Sequence, residues 1–337
     1  MKKSILAIAV LASFAGAASA QSSLTVYGLV DAGITSETGG AAGSIVKLAT
    51  GVQSGNRLGF KGTEDLGGGL KANFKLENGF NLDTGTARQG GALFGRAAYV
   101  GLSGGFGALN LGRQNDPVFI SLDSVDPFGT GLTGASTNLM SSGNTRTNNA
   151  IKYSSNNLGG FSADVLYGMG ESANGASVGR TIGFSGTYAK GPALATLAYD
   201  KVNANPATAQ PELKLVLLGA TYDFGMATAH AAYETEKGNG KDFRDLMVGV
   251  SAPLGGGSLM ASYIKKDDRT ANQTGGKQLA IGYTYALSKR TNPYTSYAHL
   301  SNEAAGTNMV GDASSGGSAP AAGHSSGALT VGIRHKF

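Results

Sequence analysis

Seven short turn signals and eight longer polar connections alternate without a break along residues 21–337. The short ones are DLGGG (65–69), SGGFG (103–107), NNLGG (156–160), AKGP (189–192), YDFGM (222–226), PLGGG (253–257) and SKRTN (288–292). Glycine and asparagine reach the backbone angles that such tight reversals need. The longer connections fall near 37–43, 79–92, 114–145, 168–178, 202–211, 236–241, 266–276 and 302–326. Fifteen connections join sixteen antiparallel strands, with both chain ends on the short-turn side. An even strand number with short turns at one end and long loops at the other is the pattern of a closed transmembrane barrel.

The segments between the turns alternate in polarity with a period of two, as half-apolar strands do. In LKANFKLENGF (70–80), Leu70, Ala72, Phe74 and Leu76 share one face, and Lys71, Asn73, Lys75 and Glu77 share the other. Phe161, Ala163, Val165 and Tyr167 oppose Ser162 and Asp164 in the same way. A secreted β-sandwich or jelly roll has the same alternation, with its apolar faces turned inward. Two features favour the barrel. Aromatic residues flank many strands (Tyr27, Phe60, Tyr99, Tyr153, Tyr188, Tyr222, Tyr285), as an interfacial girdle requires. The opposite faces also carry too many glycines and small polar groups to make a dry core.

Residues 327–337, GALTVGIRHKF, place Leu329, Val331, Ile333 and Phe337 on one face and Thr330, Arg334 and Lys336 on the other. In hydrocarbon an open sheet edge leaves backbone groups unpaired at several kcal/mol each, so the last strand must meet the first. The expected partner is SLTVYGLVDAGI (23–34), with Phe337 closing the barrel.

The first twenty residues, MKKSILAIAVLASFAGAASA, read as a cleaved export signal. Lys2 and Lys3 precede an apolar stretch, and Ala18-Ser19-Ala20 provides the small-residue cleavage site. After residue 20 no apolar run is long enough for a transmembrane helix. Cysteine is absent, so the exported chain is held without disulfides. Removing the two lysines leaves 25 basic against 22 acidic residues, too small an excess to argue for nucleic acid.

NRLGFKGTEDLGGGL (56–70), LTVYGLVDAGI (24–34), GRAAYVGLSGGFGALNLGRQNDPVF (95–119) and the terminal Phe337 together resemble the general porins of Gram-negative outer membranes. KLENGFNLDTG (75–85) is similar to the beta-proteobacterial branch. The resemblance spans essentially the whole mature chain, 21–337. It implies an all-β, sixteen-stranded, trimeric barrel in outer-membrane lipid whose third extracellular loop folds inward and narrows a water-filled pore for small polar solutes and inorganic ions. It implies no cofactor. The terminal Phe337 also resembles the signal by which the barrel-assembly machinery recognises such strands.

The third long connection supports the inward fold on its own residues. The stretch 114–145 lacks a convincing strand, and structureless loops of this length are uncommon unless functional. Phe119, Ile120, Leu122, Val125 and Phe128 make it too apolar to stand in water, whereas Asp116, Asp123 and Asp126 suit the aqueous side of a constriction. Opposite it, the resemblance carries wall arginines onto Arg57, Arg96 and Arg146. Parity agrees: Leu58 and Phe60 facing lipid turns Arg57 and Lys61 inward, and Lys75 shares the inner face of its strand. Ala97 and Tyr99 facing lipid turns Arg96 inward. Some relatives carry a lysine where this chain has Leu29, followed on the same face by Asp31, which is expected to weaken the positive field.

His230, His299, His324 and His335 are dispersed without metal-ligand spacing. No phosphate-binding glycine motif precedes a helix, and no strand–turn–helix presents a serine nucleophile. The chain therefore reads as a channel and not an enzyme. The alternatives are a channel tuned to small organic anions, an outer-membrane barrel enzyme with a charged triad at its rim, and a plugged structural or adhesive barrel. The small, smooth lipid faces of 23–34 and 327–337, with the loop at 79–92, suit packing against a second copy.

Overall fold

The computed structural model describes residues 23–311 and 316–337; the expected export signal, residues 1–20, lies outside them. Among the described residues the chain forms seventeen strands and one α-helix. The strands are β1 (Ser23–Thr38), β2 (Ile45–Thr50), β3 (Arg57–Gly67), β4 (Leu70–Gly79), β5 (Ala97–Gly104), β6 (Gly107–Asn115), β7 (Arg146–Ser154), β8 (Phe161–Gly168) and β9 (Thr181–Lys190). There follow β10 (Ala193–Val202), β11 (Leu213–Asp223), β12 (Thr228–Gly238), β13 (Lys241–Leu254), β14 (Gly257–Asp268), β15 (Gly276–Tyr285), β16 (Thr291–Asn302) and β17 (Ser326–Lys336). The helix, α1 (Pro117–Val125), lies between β6 and β7.

From β3 onward each strand pairs antiparallel with the next, β1 pairs with both β2 and β3, and β17 returns to β1 in register from Leu29↔Lys336 to Thr38↔Gly327. Phe337 extends the seam: its N–H donates to the Gly28 carbonyl at 3.1 Å, and the Gly28 N–H donates back at 3.0 Å. The Phe337 ring rests on Gly28, where a Cβ would lie 2.2 Å from it.

Seventeen strands make sixteen staves because β2 and β3 share one position. The second half of β1 pairs with β2 (Ala32↔Thr50 to Glu37↔Ile45), and its first half pairs with β3 (Ser23↔Thr63 to Leu29↔Arg57). Residues 51–56 interrupt this stave and fold toward the interior, where Leu132 of the long loop donates to the Val52 carbonyl at 2.6 Å.

All seven short turns occur where the sequence puts them. One long connection does not: 236–241 is a two-residue hairpin turn with Asn239 (φ 51°) and Gly240 (φ 77°) at its centre. Asparagine–glycine with both φ values positive matches the natural twist of a hairpin, so β12 and β13 run on to meet it.

The outer surface carries the expected apolar faces, with Phe161, Val165, Leu329, Val331 and Ile333 all exposed. Tyr153, Tyr222 and Tyr285 are exposed as well and Tyr188 is half-buried, consistent with a girdle. Tyr27 and Tyr99 correct that expectation. The Tyr27 hydroxyl donates to Glu77 Oε2 inside the barrel, and Tyr99 shares the inner face with Lys75, its register partner. The lipid face of β5 is Val100 and Leu102; Ala97 and Tyr99 point inward.

Replacing Gly240 by valine puts a β-branched side chain at positive φ, at a cost of about 1–2 kcal/mol. The urea midpoint of the refolded barrel is expected to fall, with single-channel conductance unchanged.

Candidate functional site: the pore constriction

Residues 116–145 enter the barrel and dock on one side of its inner wall. Docking starts with α1, a helix within the stretch expected to be loop throughout. Its signal was legible: Pro117 at the first helical position suits the fixed φ of proline, and Val118, Ser121, Leu122 and Val125 repeat at helical spacing. Those five residues are buried. They lie against β8–β12, whose inner face is apolar chiefly in β11 and also supplies polar partners such as Thr196, which donates to Ser121 Oγ at 3.0 Å. In β11, Leu215 and Leu217 are fully buried inward while Val216 and Leu218 are exposed outward. Further round, Phe128, Leu132, Leu139 and Met140 of the loop join Met247, Met260, Ile264, Tyr294 and Leu300 in one apolar cluster. Each such side chain taken out of water contributes about 2 kcal/mol.

Polar wall groups meet the loop backbone so that it is not left unpaired inside. His230 Nδ1 lies 2.9 Å from the Val125 carbonyl at the end of α1. Ser296 Oγ accepts from the Thr133 N–H at 3.1 Å, and Gln278 donates to the Gly134 carbonyl at 3.1 Å. Glu234 accepts from the Ser141 N–H at 2.7 Å, and Lys266 donates to the Leu139 carbonyl at 2.8 Å.

With that side filled, water is left the opposite wall. There a hollow of about 300 Å³ is lined by Arg57, Lys75, Glu77, Arg96, Tyr99, Arg146 and Lys152, with Ile120 of α1 facing them. Arg96 Nε donates to Glu77 Oε1 at 2.8 Å, and Lys75 Nζ lies 3.3 Å from Glu77 Oε2. Arg146 donates to the Arg96 carbonyl at 3.0 Å, with its guanidinium 5.9 Å from the Phe119 ring centre. Arg57 Nε donates to the Gly55 carbonyl at 2.9 Å. Lys61 sits over the Tyr27 ring at 5.5 Å. The structure thus gathers Arg57, Lys75, Arg96 and Arg146 round one hollow, with Lys61 beside it. Arg96 reaches the hollow from the residue before β5, not from within the strand.

The acids are placed differently. Asp123 is exposed at the pore face of α1 and accepts from Thr130 Oγ1 at 2.6 Å. Asp31, Asp116 and Asp126, expected on the aqueous side, are buried; donors converge on Asp31 and Asp126, whereas Asp116 accepts from one hydroxyl. The Asp126 carboxylate takes the N–H groups of Phe128 (2.9 Å), Thr130 (3.0 Å) and Ser136 (2.8 Å), organising the turn after α1. Asp116 precedes the helix and accepts from Thr147; burial raises its pKa against that bond and the charges of Lys152, Arg113 and Arg146. Asp31 accepts from Tyr294 and from the Ser54 N–H.

Sequence reasoning missed Glu77 and Arg334. Glu77 had already been assigned to an inner face, beside Lys75. Arg334 had its parity right too, but only the register Asp31↔Arg334 brings it to the broken stave, where it donates to Ser54 Oγ at 2.8 Å.

The profile of the Gram-negative porin family matches residues 7–305. The chain belongs to the Gram-negative porins. Outer membrane porin protein 32 of Delftia acidovorans is 38% identical, with all of both chains covered. An outer membrane porin of Bordetella pertussis is 34% identical, again over all of both chains. Among solved structures, an anion-selective porin from Comamonas acidovorans superposes with a TM-score of 0.83 at 35% identity, covering 94% of this chain and 100% of that one. OmpT of Vibrio cholerae, at 14% identity and TM-score 0.69, shares the fold alone. This porin is a closed sixteen-stranded barrel of the outer membrane that passes small solutes by diffusion.

Glu77 is the acid set among the wall cations of this porin, so Glu77→Gln removes the local counter-charge of Arg96 and Lys75. The reversal potential in a potassium chloride gradient is expected to move toward that of chloride.

Proposed function

We propose that this porin is a mildly anion-preferring general diffusion channel whose constriction lies between the basic wall and α1. The observation that carries the reading is an imbalance of charge exposed to water. Arg57, Lys75, Arg96 and Arg146 face one hollow, with Lys152 buried at its edge beside Asp164, while Asp31, Asp116 and Asp126 are buried and each accepts at least one hydrogen bond. Glu77 and Asp123 remain as the acids beside the water path, and Glu77 is already paired. Charge in a narrow passage with low-dielectric walls acts strongly on passing ions, because few water molecules remain to screen it. Anions are drawn in along the wall. Polar solutes align in the transverse field between the arginines and Asp123, and apolar solutes gain nothing for the ordered water they displace. The similar porin from Comamonas acidovorans is anion-selective, which supports the same preference here.

No group on the pore wall needs a cofactor or a chemical step for this task, and we read the chain as a channel and not an enzyme. Tuning to small organic anions is the second reading. It rests on Ile120 and Phe119, which set apolar surface opposite guanidinium groups.

The working form is a homotrimer in this reading. The outer face near the start of the barrel suits packing against a second copy: Gly62 and Ala72 open an apolar hollow between Leu24, Phe74 and Val100. OmpT has been solved as a trimer. The chain is exported through cleavage after residue 20, and Phe337 at the seam is read by the assembly machinery.

Reversal potentials across a potassium chloride gradient in a planar bilayer test the proposal. The native channel is expected to favour chloride. Arg57→Ser, Arg96→Ser and Arg146→Ser are each expected to lower the preference about twofold, and the triple variant to abolish it. A native channel that prefers potassium contradicts the reading.

A further inference from the structure

Asp31 is an odd residue to find on the inner face of an anion-preferring pore. It is completely buried and lies directly across from Arg334 in the register of β1 and β17. By charge alone it should weaken the pull on anions. Its contacts point to a different role.

Both carboxylate oxygens are occupied. Tyr294 donates its hydroxyl to Oδ1 at 2.6 Å, and the Ser54 N–H donates to Oδ2 at 2.7 Å. The backbone of Asp31 is engaged as well: its N–H donates to Asn56 Oδ1 at 2.6 Å, and its carbonyl accepts from the Gly51 N–H at 2.8 Å. Asn56 in turn donates to Thr50 Oγ1 at 2.6 Å. Asp31 therefore holds both ends and the middle of the 51–56 interruption, which makes no strand pairing of its own.

Three arginines rest on that interruption. Arg57 donates to the Gly55 carbonyl at 2.9 Å. Arg334 donates to Ser54 Oγ at 2.8 Å and to Asn292 Oδ1 at 3.0 Å, and Asn292 donates to Gln53 Oε1 at 2.7 Å. The Arg96 guanidinium packs over Gly55, where a Cβ would come within 2.8 Å of it. A guanidinium on a flexible stem filters ions only where its direction is set, and these carbonyl and hydroxyl acceptors set it.

We propose that Asp31 is the positioning residue of the anion filter: it folds residues 51–56 into the barrel, and that segment aims Arg57 and Arg334 into the water path. The inference rests on the anion preference proposed above. Its consequence runs against charge counting. Removing this negative charge lowers anion preference.

The test compares reversal potentials of the native channel, Asp31→Asn, Tyr294→Phe and Ser54→Ala, each checked for native heat-resistant migration. Asp31→Asn cannot accept both hydrogen bonds and removes a negative charge. Tyr294→Phe removes one of those bonds without changing charge, and Ser54→Ala removes only one of the two acceptors of Arg334. All three are expected to lower the chloride-over-potassium permeability ratio, Asp31→Asn by about twofold and Ser54→Ala least. An Asp31→Asn channel more anion-preferring than the native one, with Tyr294→Phe unchanged, overturns the positioning role. If Asp31→Asn does not fold, the two uncharged variants decide: an unchanged ratio in both overturns it. A native channel without anion preference overturns the functional reading itself, a separate result.

Discussion

The dry contact between α1 and the inner face of β8–β12 decides where water can run through this barrel. A sixteen-stranded barrel encloses a lumen far wider than a hydrated ion, so selectivity has to come from filling part of it. The filling is done by Val118, Leu122 and Val125 against Leu215, Leu217 and their neighbours, which are apolar on a surface that would otherwise be wet. The choice of wall fixes the rest. Because the loop occupies the β8–β16 side, the passage lies along the other side, where Arg57, Arg96 and Arg146 are.

The opposite wall also gives way inward. Residues 51–56 leave their stave and touch the loop through Val52 and Leu132, so the loop is held by a wall at its helix and by a broken strand near its tip. Buried acids do the structural work at these points. Asp126 organises the turn after α1, Asp116 stands at the entry of the loop, and Asp31 gathers the broken strand. A buried carboxylate is costly unless donors surround it, and backbone N–H groups or hydroxyls reach all three. Three of the four acids that a charge count places in the field are thereby removed from it, and Asp123 stays. What water meets is the basic wall.

Much of the barrel was legible in the sequence, because turn chemistry and period-two alternation are local signals. All seven short turns, the closing pair of β1 and β17, and the inward parity of Arg57, Lys61 and Lys75 came from such patterns. The misplacements share a cause: each depends on a contact far away in sequence. Tyr27 and Tyr99 looked like girdle residues until Glu77 and Lys75 gave them inner partners. The parity of Ala97 failed because Arg96, expected within the strand, precedes β5. Asp31 looked like a pore acid because Tyr294, more than two hundred and fifty residues away, cannot be placed beside it from the sequence. The hairpin at Asn239 and α1 were readable from Asn-Gly and from the helical spacing after Pro117, and were overlooked as parts of longer polar stretches.

α1 turns one face to water in the pore and the other to the barrel wall. The chain has no cysteine, so a single introduced thiol reports its own surroundings. Ile120 is exposed toward the basic wall and Leu122 is fully buried against the opposite one. In a planar bilayer, a negatively charged methanethiosulfonate reagent should reduce the single-channel current of Ile120→Cys and leave that of Leu122→Cys unaltered. Equal labelling of both positions, with neither current changed, would place the helix outside the pore and contradict the account.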